Sequence, residues 1–299
     1  MIVILGPTAC GKTKLAVNLA HLVDGEIISA DSRQVYRGMD IGTGKDLEEY
    51  TIKGVQIPYH LIDIVDPGYE YSVFEFQHDF YNAYHKIISS QKKPILCGGT
   101  GLYIDSVVKS YPLIKVAVNE RLRAILETKE MDELTKILSS FRTVHNTTDT
   151  TDKERLIRAI EIETYICENP EKAVAPPVIS STIFGLNPGR EVVRERITNR
   201  LIQRLNEGMI AEVEQLVEKG VTHSSLQFYG LEYKYISLYL EGKMNYKTML
   251  EKLNIAIHQF AKRQMTWFRR MEKNGTKIHW LDADAGLDEN VEKIIRICQ

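Results

Sequence analysis

The sequence lacks long hydrophobic runs and is poor in cysteine, and both absences exclude classes of protein. No stretch of 18 apolar residues occurs in its 299 residues, so no membrane-spanning helix or membrane partner is expected. The apolar start, residues 1–5, has no basic region before it, so we expect no secretory signal peptide and a cytoplasmic location. The four cysteines form no C-x-x-C pair, which argues against a zinc site or a disulfide framework.

Composition and charge are those of an ordinary globular protein. Hydrophobic residues make up 43% and charged residues 26%, which excludes a disordered or collagen-like chain. The net charge of −2 excludes a globally basic nucleic-acid binder but permits a local basic face. Two segments are locally basic: residues 186–204 hold five arginines against two glutamates, and residues 258–273 hold five cations against one glutamate.

The first 113 residues alternate between strand and helix patterns. Apolar runs predict strands at residues 1–5, 26–30, 62–65 and 94–97, and helical periods predict helices at residues 12–23 and 72–89. Strands that alternate with helices across glycine-rich turns predict an α/β fold with a parallel sheet flanked by helices.

The rest of the chain is mainly helical. Residues 116–169 carry no strand pattern, and residues 147–152 predict a polar loop. Beyond them we predict strands at 178–186 and 277–281, and helices at 191–219, at 254–273 and up to residue 298. We interpret residues 114–176 as a helical insertion into an α/β core formed by residues 1–113 and 177–299.

Residues 6–13, GPTACGKT, match the phosphate-loop pattern G-x-x-x-x-G-K-[ST] between a strand and a helix. In such loops backbone amides and the helix N-terminus point at an anion. Lys12 adds a positive charge, and the hydroxyl of Thr13 can hold Mg²⁺. A purely structural glycine-rich turn would need neither side chain. The pattern does not specify which phosphate compound is bound, ATP or another.

Asp31 directly follows the second predicted strand. Ligands of open parallel sheets bind at the carboxyl ends of the strands, so Asp31 is expected beside the phosphate loop. A carboxylate there can accept a proton from a nucleophile. The alternative is that Asp31 only caps a helix.

Two further turns carry polar groups. Residues 42–45, GTGK, offer Lys45 as a second phosphate contact, although most such lysines are simply solvated. Residues 98–103, GGTGLY, follow the next predicted strand, and Thr100 can donate a hydrogen bond at that edge of the sheet.

The two basic segments have helical spacing. Arg196, Arg200 and Arg204 recur every four residues and therefore share one helix face, which could be a solvated face. Residues 262–270, KRQMTWFRR, combine cations with aromatic rings, which suits RNA phosphates and unstacked bases. In the alternative, the two aromatic residues of that segment, Trp267 and Phe268, belong to the core.

Seven strings, in order along the chain, resemble the tRNA dimethylallyltransferase family, also called the tRNA isopentenyltransferase or IPP transferase family. They are GPTACGKT (6–13), ADSRQVYRGMDIGTGK (30–45), HLIDIVDP (60–67), YSVFEF (71–76), CGGTGLY (97–103), ERLIRAIE (154–161) and KRQMTWFR (262–269). The resemblance implies a P-loop NTPase-like core with an inserted helical domain that grips the anticodon arm. It also implies transfer of a dimethylallyl group from its diphosphate to the N6 amine of the adenine 3′ to the anticodon, by a monomer.

The resemblance also implies roles for individual residues. Asp31 is the expected general base, and Thr13 and Arg196 complete the expected catalytic set, with Thr13 serving Mg²⁺. The expected diphosphate contacts are Gly6, Pro7, Thr8, Ala9, Cys10, Gly11, Lys12, Thr13 and Lys45. The expected tRNA contacts are Asp31, Ser32, Arg33, Gln34, Thr100, Glu154, Arg155, Leu156, Ile157, Arg158, Lys262, Arg263, Gln264, Trp267 and Arg269.

The chain departs from the family pattern in two places. Residues 227–234, QFYGLEYK, stand where the family has an Arg-x-x-Gly-Tyr-[RK]-Glu string, and residues 143–152 lack its usual Asp-Pro and His-Pro-Asn-Asp strings. Gln227 in place of arginine and Glu232 in place of a basic residue are expected to weaken general tRNA binding. Tyr229, Tyr233 or Lys234 would compensate on preferred tRNAs.

Two other classes of protein would contain some of these motifs. An ATP-dependent small-molecule kinase would have the phosphate loop, but it has no need for the arginine helix or the segment around Trp267. A non-catalytic RNA-binding or nucleotide-sensing protein would not need Asp31 beside an intact loop. The sequence also has no compact arginine-rich lid and no strand that ends in an Asp-Glu pair, which argues against ATP hydrolysis.

The local basic segments predict that tRNA binding falls steeply with salt despite the negative net charge. Lys262→Ala and Arg269→Ala should each reduce the slope of log affinity against log salt by about one unit per lost phosphate contact. Lys219→Ala, outside both segments, is the matched control and should leave the slope unchanged. Filter binding or fluorescence anisotropy at several salt concentrations measures it, and a slope near zero in the unaltered protein would exclude a basic face.

Overall fold

A computed structural model of the protein describes residues 1–141, 152–282 and 285–298. The chain forms two compact units, one of residues Met1–Lys109 with Val178–Gln299 and the other of residues Ser110–Pro177. Within the described residues, none of the helices combines the length and the apolar character that a membrane span requires.

The first unit is built on strands and the helices between them. Its strands are β1 (Ile2–Leu5), β2 (Gly25–Ala30), β3 (Thr51–Ile52), β4 (Val55–Gln56), β5 (Tyr59–His60), β6 (Lys93–Gly98), β7 (Thr182–Leu186) and β8 (Ile278–Leu281). Six of them form one sheet in the order β5-β2-β6-β1-β7-β8, and every neighbouring pair in it is parallel. The predicted parallel α/β sheet is confirmed. β3 and β4 form a separate antiparallel pair.

Twelve α-helices accompany the strands in the described residues. They are α1 (Lys12–Val23), α2 (Val73–Ser89), α3 (Gly101–Val108), α4 (Glu120–Glu127), α5 (Met131–Phe141), α6 (Lys153–Glu168), α7 (Arg190–Asn206), α8 (Met209–Glu218), α9 (His223–Phe228), α10 (Leu231–Leu240), α11 (Tyr246–Lys273) and α12 (Leu287–Cys298). A 3₁₀ helix precedes β3 at Leu47–Tyr50, and another follows α6 at Pro170–Lys172.

Alternate residues of the central strands point to opposite faces of the sheet, and both faces are covered. Val3 and Leu5 pack with α2, α3 and the end of α11, whereas Ile4 packs with α1 and α12. Burial on both faces explains why these strands are continuously apolar in sequence. A third cluster contains residues of the helices from α7 through α11. Residues that follow β2, including Val35 and Met39, pack against them.

Two of the predicted elements differ in kind from the structure, whereas the strand predicted at residues 178–186 and the helix predicted at residues 254–273 differ in where they begin, at Thr182 and Tyr246. The helix predicted over residues 191–219 is two helices, because Gly208 adopts a left-handed φ of 102° between α7 and α8. The strand predicted at residues 62–65 is absent from the described structure, and β5 lies just before it instead. Leu61 and Asp63 have positive φ angles of 62° and 56°, which interrupt an extended strand, and Val65 makes only a single bridge to Tyr36.

The second unit is helical. Leu126, Leu134, Leu138 and Leu156 form the centre of its core, which joins α4, α5 and α6. Asp152 caps α6 by accepting a hydrogen bond from the Arg155 amide. The rest of the loop predicted at residues 147–152, and most of the departure at residues 143–152, lie outside the described residues.

A charged group, Glu161, lies in the core of this unit. Glu161 is 2% exposed and pairs with Arg123 and Arg158, while the amide of Asn119 also donates to it. Burial alone would raise the pKa of Glu161, but the hydrogen bonds from these partners outweigh burial and lower the pKa to about 2.

This lowered pKa predicts acid sensitivity of the helical unit. The stabilisation by Glu161 is complete above its ordinary pKa of 4.5 and is lost as the pH falls through about 2. Glu161→Gln should destabilise this unit by about 3 kcal/mol at neutral pH, because it leaves the arginines without their carboxylate. Thermal unfolding followed from pH 7 to pH 2 measures both effects. Glu168→Gln, an exposed position on the same helix, is the control, and equal unfolding of both variants would contradict the assignment.

Candidate active site

The phosphate loop connects the end of β1 to the start of α1. Ala9 and Gly11 have left-handed φ angles of 60° and 89°, which turn successive amides toward one side of the loop. Gly11 is the residue that precedes the first turn of α1 and brings no side chain to cover the free amides there. The loop therefore presents backbone donors and the positive end of a helix to an anion.

A cleft of about 390 Å³ opens over this loop. It lies at the carboxyl ends of β1, β2 and β6 and is closed on one side by α7. Eight of the residues predicted for the site line it: Thr8, Ala9, Gly11, Lys12, Thr13, Asp31, Gln34 and Arg196. Eleven others also line it: Ser29, Thr43, Gly44, Asp46, Glu49, Tyr50, Cys97, Gly98, Asn199, Arg200 and Gln203.

The remaining loop residues expected to meet the diphosphate, Gly6, Pro7 and Cys10, are buried beneath the cleft. The Pro7 carbonyl accepts a hydrogen bond of 3.3 Å from the Lys12 ammonium. Cys97 lines the cleft, but burial raises the pKa of its thiol to about 12. At neutral pH this thiol is therefore protonated and is not a nucleophile.

Asp31 lies one strand away from the phosphate loop, because β6 separates β2 from β1. One carboxylate oxygen accepts a 2.9 Å hydrogen bond from the Arg33 amide, so Asp31 caps a turn rather than a helix. Thr100 holds the same turn, because its hydroxyl accepts a 3.0 Å hydrogen bond from the Ser32 amide. The two turns that follow β2 and β6 are thereby joined next to the cleft.

The face of α7 that carries Arg196, Arg200 and Arg204 is solvated only at Arg196. Arg196 is exposed at the cleft, but Arg200 donates to the hydroxyl of Thr8 in the phosphate loop. Burial lowers the pKa of Arg200, and its guanidinium nevertheless stays charged at neutral pH. Arg204 is 6% exposed and pairs with Asp46 at 2.8 Å. The spacing of four residues identified the shared face, but it did not indicate that Arg200 reaches the loop.

Lys45 does not contact the cleft, which contradicts its expected role at the diphosphate. Its side chain is 1% exposed, and its ammonium donates to the Tyr36 carbonyl at 2.6 Å and to the carboxylates of Asp40 and Asp63. An ammonium has three donors, and these partners use all of them. The lysine instead holds together the loop that follows β2.

The expected RNA contacts on α6 divide into two groups. Glu154 and Arg155 are exposed, and Arg158 is half-buried where it pairs with Glu161. Leu156 and Ile157 are 0% and 5% exposed in the core of the second unit. Their side chains cannot meet RNA, so the prediction is wrong for these two residues: the helix turns them inward.

The expected RNA contacts on α11 divide in the same way. Lys262, Arg263 and Arg269 are exposed. Trp267 is partly buried against the core, with the Arg270 guanidinium 4.4 Å from its ring centroid, and its neighbour Phe268 is fully buried. A fourth expected contact of α11, Gln264, is 7% exposed and hydrogen-bonds to backbone groups, which contradicts its expected contact with RNA.

The expected contacts next to Asp31 have partners of their own. The Arg33 guanidinium lies 5.4 Å from the ring centroid of Phe228, which is half-exposed. The Gln34 amide accepts from Ser29 at 3.1 Å and donates to the Gly44 carbonyl at 2.9 Å. The RNA contacts expected of Ser32, Arg33, Gln34 and Thr100 remain predictions.

The divergent string 227–234 folds mainly into the protein. Tyr229 and Tyr233 are 2% and 0% exposed, so they cannot compensate for lost tRNA contacts as expected. Glu232 is half-buried. Burial raises the pKa of its carboxyl, while Arg204 and Arg200 act in the opposite direction. Glu232 therefore interacts with the arginines of α7, and the expected repulsion of the RNA backbone does not follow from its position. Lys234 is exposed.

The residues of the cleft fit a magnesium ion that is held largely by a phosphate ligand. In residues 1–141, 152–282 and 285–298, no group of three or more His, Cys, Asp or Glu side chains could form a metal cage. Thr13 lines the cleft beside the phosphate loop. Its hydroxyl oxygen suits Mg²⁺, which commonly takes one or two protein ligands and completes its shell with phosphate oxygens and water.

Comparisons with known proteins point to one family. A model described as IPP transferase matches residues 34–271, and one described as isopentenyl transferase matches residues 1–61. The chain is 56% identical over 297 residues to a Phocaeicola vulgatus protein named tRNA dimethylallyltransferase 2, covering 99% of this chain and 97% of the relative.

Solved structures agree with the sequence comparisons. The tRNA isopentenylpyrophosphate transferase of Bacillus halodurans has a TM-score of 0.72 at 34% identity, and the match covers 99% of this chain and 94% of that one. A eukaryotic dimethylallyltransferase, crystallised acting on tRNA, has a TM-score of 0.79 at 26% identity, with 99% and 77% covered. The prediction of a P-loop NTPase-like α/β fold is confirmed.

The position of Lys12 predicts that it binds the phosphate ligand of the cleft. Lys12→Ala should weaken the binding of inorganic pyrophosphate by at least about tenfold, the scale of a lost charged hydrogen bond. Isothermal titration calorimetry measures this affinity. Lys14→Ala, an exposed lysine in the first turn of α1, controls for the loss of one positive charge near the loop. Equal affinities of the two variants would exclude a direct contact of Lys12 with the anion.

Proposed function

Because the chain belongs to the IPP transferase family, we propose that it is a tRNA dimethylallyltransferase. It transfers a dimethylallyl group from dimethylallyl diphosphate to the exocyclic N6 amine of the adenine 3′ to the anticodon. The products are N6-(dimethylallyl)adenosine in tRNA and diphosphate. We further propose that the enzyme acts as a monomer in the cytoplasm and that the reaction requires no ATP.

One observation supports this proposal above the others: an anion-binding loop and a carboxylate share one cleft. Lys12, the phosphate loop and Asp31 all line this cleft. We assign Lys12 and the loop amides to the diphosphate of the donor, and Asp31 to the acceptor amine. The exposed guanidinium of Arg196 and the half-buried one of Arg200 add positive charge on the α7 side. The cleft therefore offers positive charge to a donor diphosphate and a carboxylate to an acceptor base.

The proposed reaction breaks one carbon–oxygen bond and forms one carbon–nitrogen bond. The adenine amine is a weak nucleophile, because its lone pair is delocalised into the ring. Lys12, the loop amides and Arg200 stabilise the charge that develops on the departing diphosphate. Departure leaves allylic cation character on the dimethylallyl group, which reduces the demand on the nucleophile. Asp31 accepts the proton that the amine loses.

We propose that Mg²⁺ is the metal of this site and that the Thr13 hydroxyl is its protein ligand. When bound, Mg²⁺ supplies positive charge that neutralises the diphosphate oxygens. The chain's own residues would hold the anion through Lys12 and the amides of the loop.

The RNA is proposed to meet the protein through exposed cations. On α11 these are Lys262, Arg263 and Arg269, and on the helical unit 110–177 Arg155 is exposed. We propose that this unit grips the anticodon arm. The target adenine must leave its stack to reach Asp31, so an unpaired loop is the suitable substrate.

A single assay tests the proposed function. The protein is incubated with dimethylallyl diphosphate, Mg²⁺ and bulk tRNA, and the RNA is then digested to nucleosides and analysed for prenylated adenosine. We expect the product with or without ATP. No prenylated adenosine under any of these conditions would contradict the proposal, and strict dependence on ATP would favour a kinase-like reaction.

Asp31 is predicted to be required for transfer but not for donor binding. Asp31→Ala should reduce turnover by about 10²- to 10⁴-fold, the contribution of a general base, and leave pyrophosphate affinity within about twofold. Asp24→Asn is the matched control, because Asp24 precedes the opposite end of the same strand, β2. Single-turnover kinetics and calorimetry give the two quantities, and turnover of Asp31→Ala within about tenfold of the unaltered enzyme would exclude Asp31 as the base.

A further inference from the structure

Gln264 is a buried polar residue on a helix whose neighbouring cations are exposed. It is 7% exposed, whereas Lys262, Arg263 and Arg269 of the same helix face solvent. Its side chain therefore points away from the basic face of α11. A buried amide needs hydrogen-bond partners, and those of Gln264 lie in the two glycine-rich turns of the candidate active site.

The oxygen and the nitrogen of the Gln264 side-chain amide both form hydrogen bonds with backbone groups. The oxygen accepts a 2.8 Å hydrogen bond from the Thr8 amide in the phosphate loop, and the nitrogen donates a 3.0 Å hydrogen bond to the Gly99 carbonyl after β6. An N–H group must face the amide oxygen and a carbonyl must face the amide nitrogen, so these partners also fix the orientation of the side chain.

The glycine at position 99 permits this contact. A Cβ atom on Gly99 would lie 2.4 Å from the Gln264 amide nitrogen, which is too close for any side chain. A side chain at position 99 would therefore displace the Gln264 amide from its present position.

Thr8 is held from two sides. Gln264 of α11 binds its amide, and Arg200 of α7 binds its hydroxyl. Thr8 lines the cleft next to Ala9, whose left-handed backbone helps to turn the loop amides toward the anion. If Gln264 were lost, the Thr8 amide would be left unsatisfied or the loop would shift toward another acceptor, and the anion site would change in either case.

We propose that Gln264 is a positioning residue for the phosphate loop and does not contact RNA. It fixes the loop from the helix that carries the basic face, so the anion site and this helix form one packed assembly. The inference rests on the proposed function only for the identity of the anion.

The test separates anion binding from RNA binding. Gln264→Leu removes both hydrogen bonds at similar volume, and Gln259→Leu, at an exposed position of the same helix, is the matched control. Pyrophosphate affinity without RNA is measured by calorimetry, and tRNA affinity without pyrophosphate by anisotropy. We expect Gln264→Leu to weaken pyrophosphate binding by at least about tenfold and to change tRNA affinity by less than about twofold.

Steady-state kinetics supply a second readout. Gln264→Leu should raise KM for dimethylallyl diphosphate about tenfold and leave KM for tRNA unchanged. Gly99→Ala gives an independent perturbation, because it keeps Gln264 but displaces its amide, and it should show the same selective loss. If Gln264→Leu does not fold, the pyrophosphate and tRNA affinities of Gly99→Ala test the inference instead.

Two results would overturn the inference: normal pyrophosphate affinity, whatever the tRNA affinity, or equal loss of both affinities. Neither result would affect the proposed function, which depends on whether the unaltered enzyme forms prenylated adenosine. Conversely, an unaltered protein that binds pyrophosphate in a Gln264-dependent way but makes no prenylated adenosine would sustain the inference and refute the function.

Discussion

The parallel register of three strands is the constraint on which the site depends. Gly98, at the end of β6, pairs with Leu5 at the end of β1 and with Ala30 at the end of β2. The three strands therefore stop at the same level of the sheet, and each is followed by a turn that carries polar groups. The phosphate loop, the turn with Asp31 and the turn with Thr100 start side by side, which brings their chemistry to one edge.

The turns at this edge need support of their own, because they leave the hydrogen-bond ladder of the sheet. Residues 31–46 form no helix or strand beyond the single bridge at Tyr36, yet much of this segment is buried. Every buried polar group in it needs a partner. Lys45 binds Asp40 and Asp63, while Glu212 of α8 accepts hydrogen bonds from the amides of residues 40–42. The helices after β7 thus supply acceptors that the loop itself lacks.

The support of these turns by the later helices also explains why much of the string 227–234 is buried. Tyr233 donates a 2.6 Å hydrogen bond to Glu212, and its ring packs so closely on Gly42 that a Cβ there would lie 2.6 Å away. The hydroxyl of Tyr229 accepts a hydrogen bond from the Gly68 amide. Tyr233 thus supports the loop after β2, and Tyr229 supports the segment after β5. A change at either tyrosine would therefore act through packing, whereas the sequence alone suggested direct contact with RNA.

The parts of the fold and the site that the sequence predicted are those encoded locally. The conformations of the phosphate loop, β1 and α1 are determined by residues that are adjacent in sequence. The main strands are recognisable in the sequence as continuous apolar runs. Apart from Leu156 and Ile157, which the helix turns into the core, the errors at the site concern polar residues whose partners are distant in sequence. Nothing near Lys45 in the chain shows that Asp63 will neutralise it, and Gln264 lies 256 residues from the amide that it binds. Helical spacing likewise predicted which face of α7 carries Arg200, but it did not predict that this face contacts the phosphate loop.

Counting cations in a segment therefore overstates the charge that is left for a nucleic acid. In residues 186–204, Arg204 is paired with Asp46 and Arg200 is bonded to the phosphate loop. Both arginines thus serve the cleft or its frame. In residues 258–273, Lys262, Arg263 and Arg269 are exposed on one helix, as Arg190, Arg194 and Arg196 are on α7. The charge available to a nucleic acid is therefore set by the exposed cations of each segment and not by its composition.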